Sequence, residues 1–106
     1  MGSLTMNAAE DSGCMKFILE GRIDASNAYN FSDAVNAALI GYTGEKVVFE
    51  CRKLEYISSA GLREFLRLLK RRKLAVRLEH VTHQVESIMN MTGFSQIFDV
   101  SGGNEQ

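Results

Sequence analysis

The sequence predicts a single α/β domain in which helices pack against a mixed, mostly parallel β-sheet. Three observations lead to this fold class. Strand-like and helix-like apolar patterns alternate along most of the chain, an additional strand-like run precedes them, and no repeat, linker or low-complexity block divides the 106 residues. Alternating strands and helices require crossover connections, which place helices against parallel strands. We expect the core to span residues 4–100 and a polar tail to occupy residues 101–106.

The first two runs are predicted to pair as a β-hairpin. Residues 4–8 form a candidate edge strand, and Asp11-Ser12-Gly13 then supplies turn-forming residues. Residues 14–23 follow as a half-buried strand, because apolar and polar side chains alternate there. The apolar positions of this second strand are Met15, Phe17 and Leu19.

A first helix is expected after this strand. Asp24 or Ser26 is placed to cap it, and Gly41 and Gly44 are placed to end it. Its apolar residues repeat at helical spacing and so predict one buried face. That face comprises Phe31, Ala34, Val35, Ala38 and Leu39.

The next strand and helix meet at Ser58-Ser59. Residues 46–51 include the continuous run Val47-Val48-Phe49, which predicts a strand covered on both faces. After the two serines, a helical stripe consists of Leu62, Phe65, Leu66 and Leu69. Two hydroxyls are therefore expected where a strand gives way to a helix.

The remaining elements follow the same alternation. Residues 74–79 alternate as a strand, Thr82 is placed to cap a further helix, and Gly93 is placed to end it. Residues 97–100 are predicted to form a short last strand. The buried face of the last helix is expected to contain Val85, Ile88 and Met89.

Composition and charge exclude several classes of protein. The formal net charge is −1, so no electrostatic attraction of the whole chain to nucleic acid or an anionic membrane is expected. No apolar run approaches the ~20 residues needed to cross a bilayer, and residues 1–9 do not have the pattern of a signal peptide. Cys14 and Cys51 do not form a CxxC pair and are interpreted as free thiols, with a regulatory disulfide as the alternative. A cytoplasmic location is expected.

The serine pair is the strongest candidate for a functional site. The first N–H groups of a helix lack intrahelical partners and carry a partial positive charge. Such a position suits a serine cap, and it also suits an anionic or phosphorylated group. If Ser59 starts the helix, its unmodified hydroxyl is expected to accept a hydrogen bond from the first turn, which stabilises the helix by about 1 kcal/mol.

Three segments, in this order, resemble the STAS domain of bacterial anti-sigma factor antagonists. They are Glu20-Gly21-Arg22-Ile23-Asp24, the run from Val47-Val48-Phe49 through Leu54-Glu55-Tyr56-Ile57, and Ser58-Ser59-Ala60-Gly61-Leu62. The likeness extends from about Leu4 to Val100. It implies a STAS-like fold for the whole chain.

The resemblance also implies a phosphorylation site. The family's switch motif reads Asp-Ser-Ser/Thr-Gly-Leu, and the serine after the aspartate accepts phosphate. Aligning on Gly61-Leu62 makes Ser59 the acceptor, with Ser58 in the aspartate position and Ala60 in the second hydroxyl position. Ser58 is the second candidate acceptor. The residues expected to contact the partner are Asp24, Ser58, Ser59, Ala60, Gly61, Leu62 and Arg63.

The implied function is regulatory rather than enzymatic. By resemblance, the partner is an anti-sigma factor that is also an ATP-dependent serine kinase, and a protein phosphatase reverses the modification. Binding would regulate sigma-factor-dependent transcription, with no catalytic residue, metal, cofactor, membrane or direct nucleic-acid contact expected. The alternative is a constitutive STAS interaction module that phosphorylation does not regulate.

Three other interpretations of the residues are weaker. A serine hydrolase would need a nucleophile elbow, but Ile57 stands where the motif's first glycine belongs, and only His80 and His83 are candidate bases. The same two histidines could form a metal pair, yet no cysteine or carboxylate accompanies them at ligand spacing. The run Lys70-Arg71-Arg72-Lys73 lacks interleaved aromatic residues and is interpreted as a solvated helix end rather than a nucleic-acid site.

Overall fold

The computed structural model describes residues 3–72, 74–93 and 99–102, with side chains described for residues 3–67 and 74–93. The described elements alternate as the sequence predicts. They are β1 (Leu4–Asp11), β2 (Cys14–Ile23), α1 (Ala28–Ala38), β3 (Lys46–Ile57), α2 (Ser59–Arg72), β4 (Ala75–Val81), α3 (His83–Thr92) and β5 (Asp99–Gly102). Among the described residues, none of the helices combines the length and the apolar character needed to cross a membrane.

The strands form one five-stranded sheet in the order β1-β2-β3-β4-β5. The predicted hairpin is confirmed, because β1 pairs antiparallel with β2 from Leu4↔Gly21 to Asp11↔Cys14. Both residues of the connecting turn have positive φ, 52° at Ser12 and 79° at Gly13, as expected of a tight hairpin turn whose twist matches that of the strands. The β2–β3, β3–β4 and β4–β5 pairs are parallel. The mixed, mostly parallel sheet is therefore confirmed.

The helices of the described chain share one face of the sheet. Strand order follows chain order from β2 to β5, so right-handed crossovers carry each helix to the same side. One continuous core joins that sheet face to the helices. Its strand residues include Met15, Phe17, Leu19, Val47, Phe49, Cys51, Val76 and Leu78, and its helix residues include Phe31, Val35, Leu62, Phe65, Val85 and Met89.

The prediction that β3 is covered on both faces is wrong for the described residues. Buried and more exposed positions alternate along β3, with Val47, Phe49 and Cys51 buried and Val48 and Glu50 only partly buried. We call the side away from the helices the open face. It carries Lys16, Ile18, Glu20, Val48, Glu50, Arg77 and Glu79.

Four phenylalanines form the centre of the core. Phe49 stacks on Phe17 with ring centroids 5.1 Å apart and meets Phe65 edge-on at 4.7 Å. Phe31 lies 6.0 Å from Phe49 and 5.2 Å from Phe65. This cluster ties α1 and α2 to β2 and β3, whose C-terminal ends carry the candidate site.

The structure confirms both predicted ends of α3 but not the predicted cap of α1. Thr82 caps α3 by accepting from the N–H of Val85 at 3.3 Å, and Gly93 ends that helix with φ 80°. Neither Asp24 nor Ser26 caps α1, which begins after Asn27 without a side-chain cap bond. On the predicted buried face of α1, Ala34 is exposed, whereas Phe31, Val35 and Leu39 are buried.

The predictions for the C-terminal segment can be checked only in part. The sequence pattern predicts the last strand at residues 97–100, and the structure has it at Asp99–Gly102, so residues 101 and 102 belong to the sheet rather than to the tail. Residues 94–98 and 103–106 lie outside the described residues. Lys70, Arg71 and Arg72 lie in the last turn of α2, while Lys73 and the side chains of that basic run also lie outside them.

Candidate functional site

The candidate site forms where β2 and β3 end side by side. Ile23 pairs with Ile57 at the last register position of the two parallel strands. The N–H of Ser58 then donates to the carbonyl of Ile23 at 2.8 Å. This bond places the loop that begins at Asp24 next to the start of α2. We call these neighbouring segments, residues 24–27 and 58–63, the switch corner.

Ser58, rather than Ser59, caps α2. Its Oγ accepts from the N–H of Gly61 at 3.2 Å, and its carbonyl accepts from the N–H of Leu62 at 3.0 Å. Ser59 does start the helix, but the expectation that its hydroxyl acts as the cap is wrong, because the cap position is the residue before it, Ser58. Ile57 and Leu62, both fully buried, occupy the flanking positions of a hydrophobic staple that fixes the entry of the helix.

Ser59 is the first residue of α2, and it is exposed. Within the described part of the chain, its hydroxyl has no hydrogen-bond partner, whereas that of Ser58 is engaged by Gly61. The first turn of α2 contains no acidic residue, so no side-chain carboxylate there offsets the partial positive charge of the helix end. Ser59 thus presents a hydroxyl to solvent at a position that tolerates added negative charge.

The residues that follow Ser59 differ in solvent exposure. Gly61 is buried, Leu62 is fully buried, and Ala60 packs partly buried against the core. Arg63 is exposed. Among the predicted contact residues from Ser59 to Arg63, Leu62 therefore supports the site from the core, and Ser59 and Arg63 are the exposed ones.

The Asp24 loop is held rigid by side-chain bonds. The Asp24 carboxylate accepts from the hydroxyl of Ser26 at 2.6 Å and from its N–H at 3.0 Å. The Ser26 hydroxyl, helped by the N–H groups of Ser26 and Asn27 and by the charge of Arg22, holds the pKa of the Asp24 carboxyl below its usual range. Asp24 is therefore a fixed negative charge in the switch corner.

Asn27 is a site residue that was not predicted from the sequence. Its Oδ1 accepts from the N–H of Asp24 at 2.9 Å, and its Nδ2 donates to the carbonyl of Arg22 at 3.0 Å. The two bonds join Asn27 to residues three and five positions earlier in the chain and so close the loop. The sequence did contain a signal for Asn27, because asparagine is one of the residues favoured at the position directly before a helix.

Neither the serine-hydrolase interpretation nor the pairing of His80 with His83 as metal ligands is supported by the contacts of these two histidines. His80 Nδ1 lies 2.7 Å from Glu50 Oε1, so its bonded partner is a carboxylate rather than a serine. His83 is exposed at the first position of α3.

Cys14 and Cys51 are both free thiols, Cys51 being buried and Cys14 half-buried.

Removing the cap should cost more than removing the candidate phosphate acceptor. We expect Ser58→Ala to lower the free energy of unfolding by about 1 kcal/mol, because the N–H of Gly61 loses its acceptor. Ser59→Ala should change it by less than about 0.5 kcal/mol, because an exposed hydroxyl is lost where alanine suits the helix. Urea unfolding of the two variants measures the difference. Equal losses would contradict the assignment of Ser58 as the cap.

Gly61 is required for the close approach of α2 to the strand ends. A Cβ at this position would lie 2.7 Å from Ile23 Cγ2 and 2.8 Å from Ile57 Cγ1. Alanine would gain about 1 kcal/mol of helix propensity, but overpacking against buried side chains costs about 1–3 kcal/mol. We therefore expect Gly61→Ala to lower the melting temperature in a thermal unfolding experiment. A gain in stability would show that the helix can move away from the sheet without cost.

Comparison with known proteins connects this geometry to a family. Residues 5–103 match the model of the STAS domain. The chain is 30% identical over 105 residues to BtrV of Bordetella bronchiseptica, which is named as an anti-sigma factor antagonist; the match covers 96% of this chain and 88% of BtrV.

Solved structures show the same fold. An anti-sigma factor antagonist from Mycobacterium paratuberculosis superposes with a TM-score of 0.81 at 17% identity, covering 92% of this chain and 85% of the other. The anti-sigma factor antagonist SpoIIAA, solved in its unphosphorylated form, superposes with a TM-score of 0.72 at 12% identity, covering 92% of this chain and 88% of SpoIIAA.

Proposed function

The chain belongs to the STAS domain family of anti-sigma factor antagonists, and from that premise we propose that it binds an anti-sigma factor and is switched by phosphorylation at Ser59. The partner would itself be the ATP-dependent serine kinase, and a protein phosphatase would restore the unmodified form. The family consists of regulatory binding proteins. The protein would need no catalytic group, metal or cofactor for this role, and it would act in the cytoplasm.

The different environments of the Ser58 and Ser59 hydroxyls support this proposal. Ser58 stabilises the helix start through its bond to Gly61, whereas the Ser59 hydroxyl is exposed and has no partner within the described residues. A kinase can therefore modify Ser59 without first breaking the cap. The Ser58 hydroxyl is only partly exposed, and its Oγ would have to leave the N–H of Gly61 before it could react, which makes Ser58 the poorer substrate.

Phosphorylation would change the surface of the switch corner more than its fold. A phosphoserine adds a charge of about −1.5 to −2. A helix N-terminus favours such a charge by about 0.3–1 kcal/mol at an exposed site, so α2 should remain intact. A partner surface that fits a neutral hydroxyl would instead have to accommodate and desolvate the phosphate.

The fixed charge of Asp24 strengthens this effect. Its carboxylate is held ionised by Ser26, and its loop lies beside the start of α2 through the bond from Ser58 to Ile23. The phosphate would thus join a negative charge already in the corner. Release of the anti-sigma factor would leave that factor free to bind its sigma factor, and dephosphorylation would reverse this step.

The proposal is tested by incubating the protein with its cognate anti-sigma factor and ATP and mapping the modified residue by mass spectrometry. We expect one phosphate at Ser59, no modification of Ser59→Ala, and continued modification of Ser58→Ala at Ser59. Phosphate on Ser58 in the unaltered protein would contradict the choice of acceptor. Absence of any phosphate, with binding intact, would reject the switch.

A constitutive interaction module is the second candidate. The observation that favours it is Ser58, which stands where the family's switch motif has an aspartate. A kinase that needs this carboxylate would not modify the chain, although the switch corner could still bind a partner. A negative charge placed at Ser59 separates the two candidates.

A further inference from the structure

A group of metal-ligating side chains lies on the open face, away from the helices. Glu50 of β3 and Glu79 of β4 are partners in the parallel register of the two strands. His80 follows Glu79 directly. One potential ligand atom from each of the three residues lies within 4.8 Å of the others.

A bulge in β4 brings His80 into this group. Leu78 and Val81 are both buried, so two residues rather than one separate successive core positions. The pairing of β4 with β5 shifts register over the same interval, and His80 has a φ of 56°. Strict alternation would turn His80 away from Glu79. The extra residue instead leaves both outside the core, with His80 Nδ1 2.7 Å from Glu50 Oε1.

Glu50 and Glu79 place two carboxylates opposite each other on neighbouring strands, and this arrangement does not favour the pairing of β3 with β4. Like charges directly opposite each other on neighbouring strands are destabilising. The pair is only partly accessible, with 14% of the Glu50 side chain and 29% of the Glu79 side chain exposed.

Neighbouring groups orient the two carboxylates. The N–H of Arg52 donates to Glu50 Oε2 at 3.0 Å, and Arg77 Nε donates to Glu79 Oε2 at 3.1 Å. Contacts of this kind fix the direction of carboxylate ligands in metal sites. Glu50 Oε1 faces His80, so its ligating oxygen and the imidazole nitrogen already converge.

We propose that Glu50, Glu79 and His80 form a binding site for a divalent ion of the zinc type on the open face. Two carboxylate oxygens and one imidazole nitrogen are a donor set that zinc accepts at about 2.0–2.2 Å, with a further position left for water. The ion would lie between the two glutamates and replace the His80–Glu50 hydrogen bond with two bonds to the metal. It would connect β3 to β4. The site is independent of the switch corner, which lies at the C-terminal ends of β2 and β3.

The competing interpretation is a metal-free ion-pair network. Arg52 and Arg77 would then balance the two glutamates, and His80 would serve only as a hydrogen-bond partner of Glu50. This network and a zinc site predict different behaviour when the ion is supplied. The distinction does not depend on any partner protein or on phosphorylation.

Isothermal titration of the tag-free, chelator-treated protein with zinc chloride tests the proposal. We expect one zinc ion per chain and weaker binding of magnesium, which is poorly suited to imidazole ligands. Glu79→Gln and His80→Asn should each lower zinc affinity by at least about tenfold. Asparagine is chosen for position 80 because it tolerates positive φ.

Two matched variants serve as controls. His83→Asn and Glu20→Gln make the same chemical changes at exposed positions outside the group, and both should bind zinc like the unaltered protein. Circular dichroism checks that each variant is folded; if His80→Asn is not, Glu50→Gln takes its place. No zinc binding, or equal affinity in the group variants and the controls, would overturn the proposal in favour of the ion-pair network.

Discussion

Replacing Ser59 with aspartate is expected to lower the affinity for the anti-sigma factor by at least about a hundredfold, or about 3 kcal/mol. The new carboxylate would be placed in a contact surface that fits a neutral hydroxyl, where a charge without a partner is costly to desolvate. Asp24 in the same corner would add repulsion, since its carboxyl is held ionised. Isothermal titration with the purified anti-sigma factor measures the change.

The same variant should keep its fold. Ser59 is exposed at the first position of α2, where a negative charge is favourable, so circular dichroism and melting temperature should match those of the unaltered protein. Ser12→Asp is the charge-matched control. Ser12 is exposed in the turn before β2, at the opposite end of that strand from the switch corner, and aspartate tolerates its positive φ.

The outcome separates the two candidate functions. Loss of binding in Ser59→Asp but not in Ser12→Asp supports a switch at Ser59. Full binding by both variants would favour the constitutive module. Equal loss in both would point to a general effect of net charge rather than to the switch corner.

Replacing Phe49 with alanine is expected to lower the free energy of unfolding by about 3–5 kcal/mol. Its ring is fully buried, stacks on Phe17 at 5.1 Å and meets Phe65 edge-on at 4.7 Å. Truncation would remove contacts to both sides of the sheet–helix interface and leave a cavity between β3 and α2. Urea unfolding followed by circular dichroism measures the loss.

Tyr29→Ala is the matched control for this prediction. Tyr29 is an aromatic residue of α1 with 70% of its surface exposed, so its truncation should change stability by no more than about 0.5 kcal/mol. Similar losses in the two variants would contradict the placement of Phe49 at the centre of the core. A small loss in Phe49→Ala alone would indicate that neighbouring side chains refill its space.

Local patterns were sufficient to predict most of the elements. The alternation of Met15, Phe17 and Leu19 indicates β2, and all three are buried on one face of the sheet. Thr82 and Gly93 mark the ends of α3 because their cap chemistry depends only on nearby residues. The family resemblance likewise rests on short segments that the fold brings to the ends of β2 and β3.

Features that depend on distant residues were not predicted. The run Val47-Val48-Phe49 looks like a strand buried on both faces, but strand order places the described helices on one side only. Glu79 directly precedes His80, but Glu50 lies 30 residues from His80 in the sequence, so the sequence pattern does not reveal the group that the three residues form. The assignment of the cap to Ser58 rather than Ser59 depended on a helix boundary that apolar spacing locates only to within a residue or two.

The most direct measurement compares the anti-sigma factor affinity of the unmodified protein with that of protein phosphorylated to completion at Ser59, with the melting temperature of each recorded. We predict an affinity at least about a hundredfold lower for the phosphorylated form and the same melting temperature within a few degrees. Equal affinities, or a loss of affinity accompanied by unfolding, would contradict it.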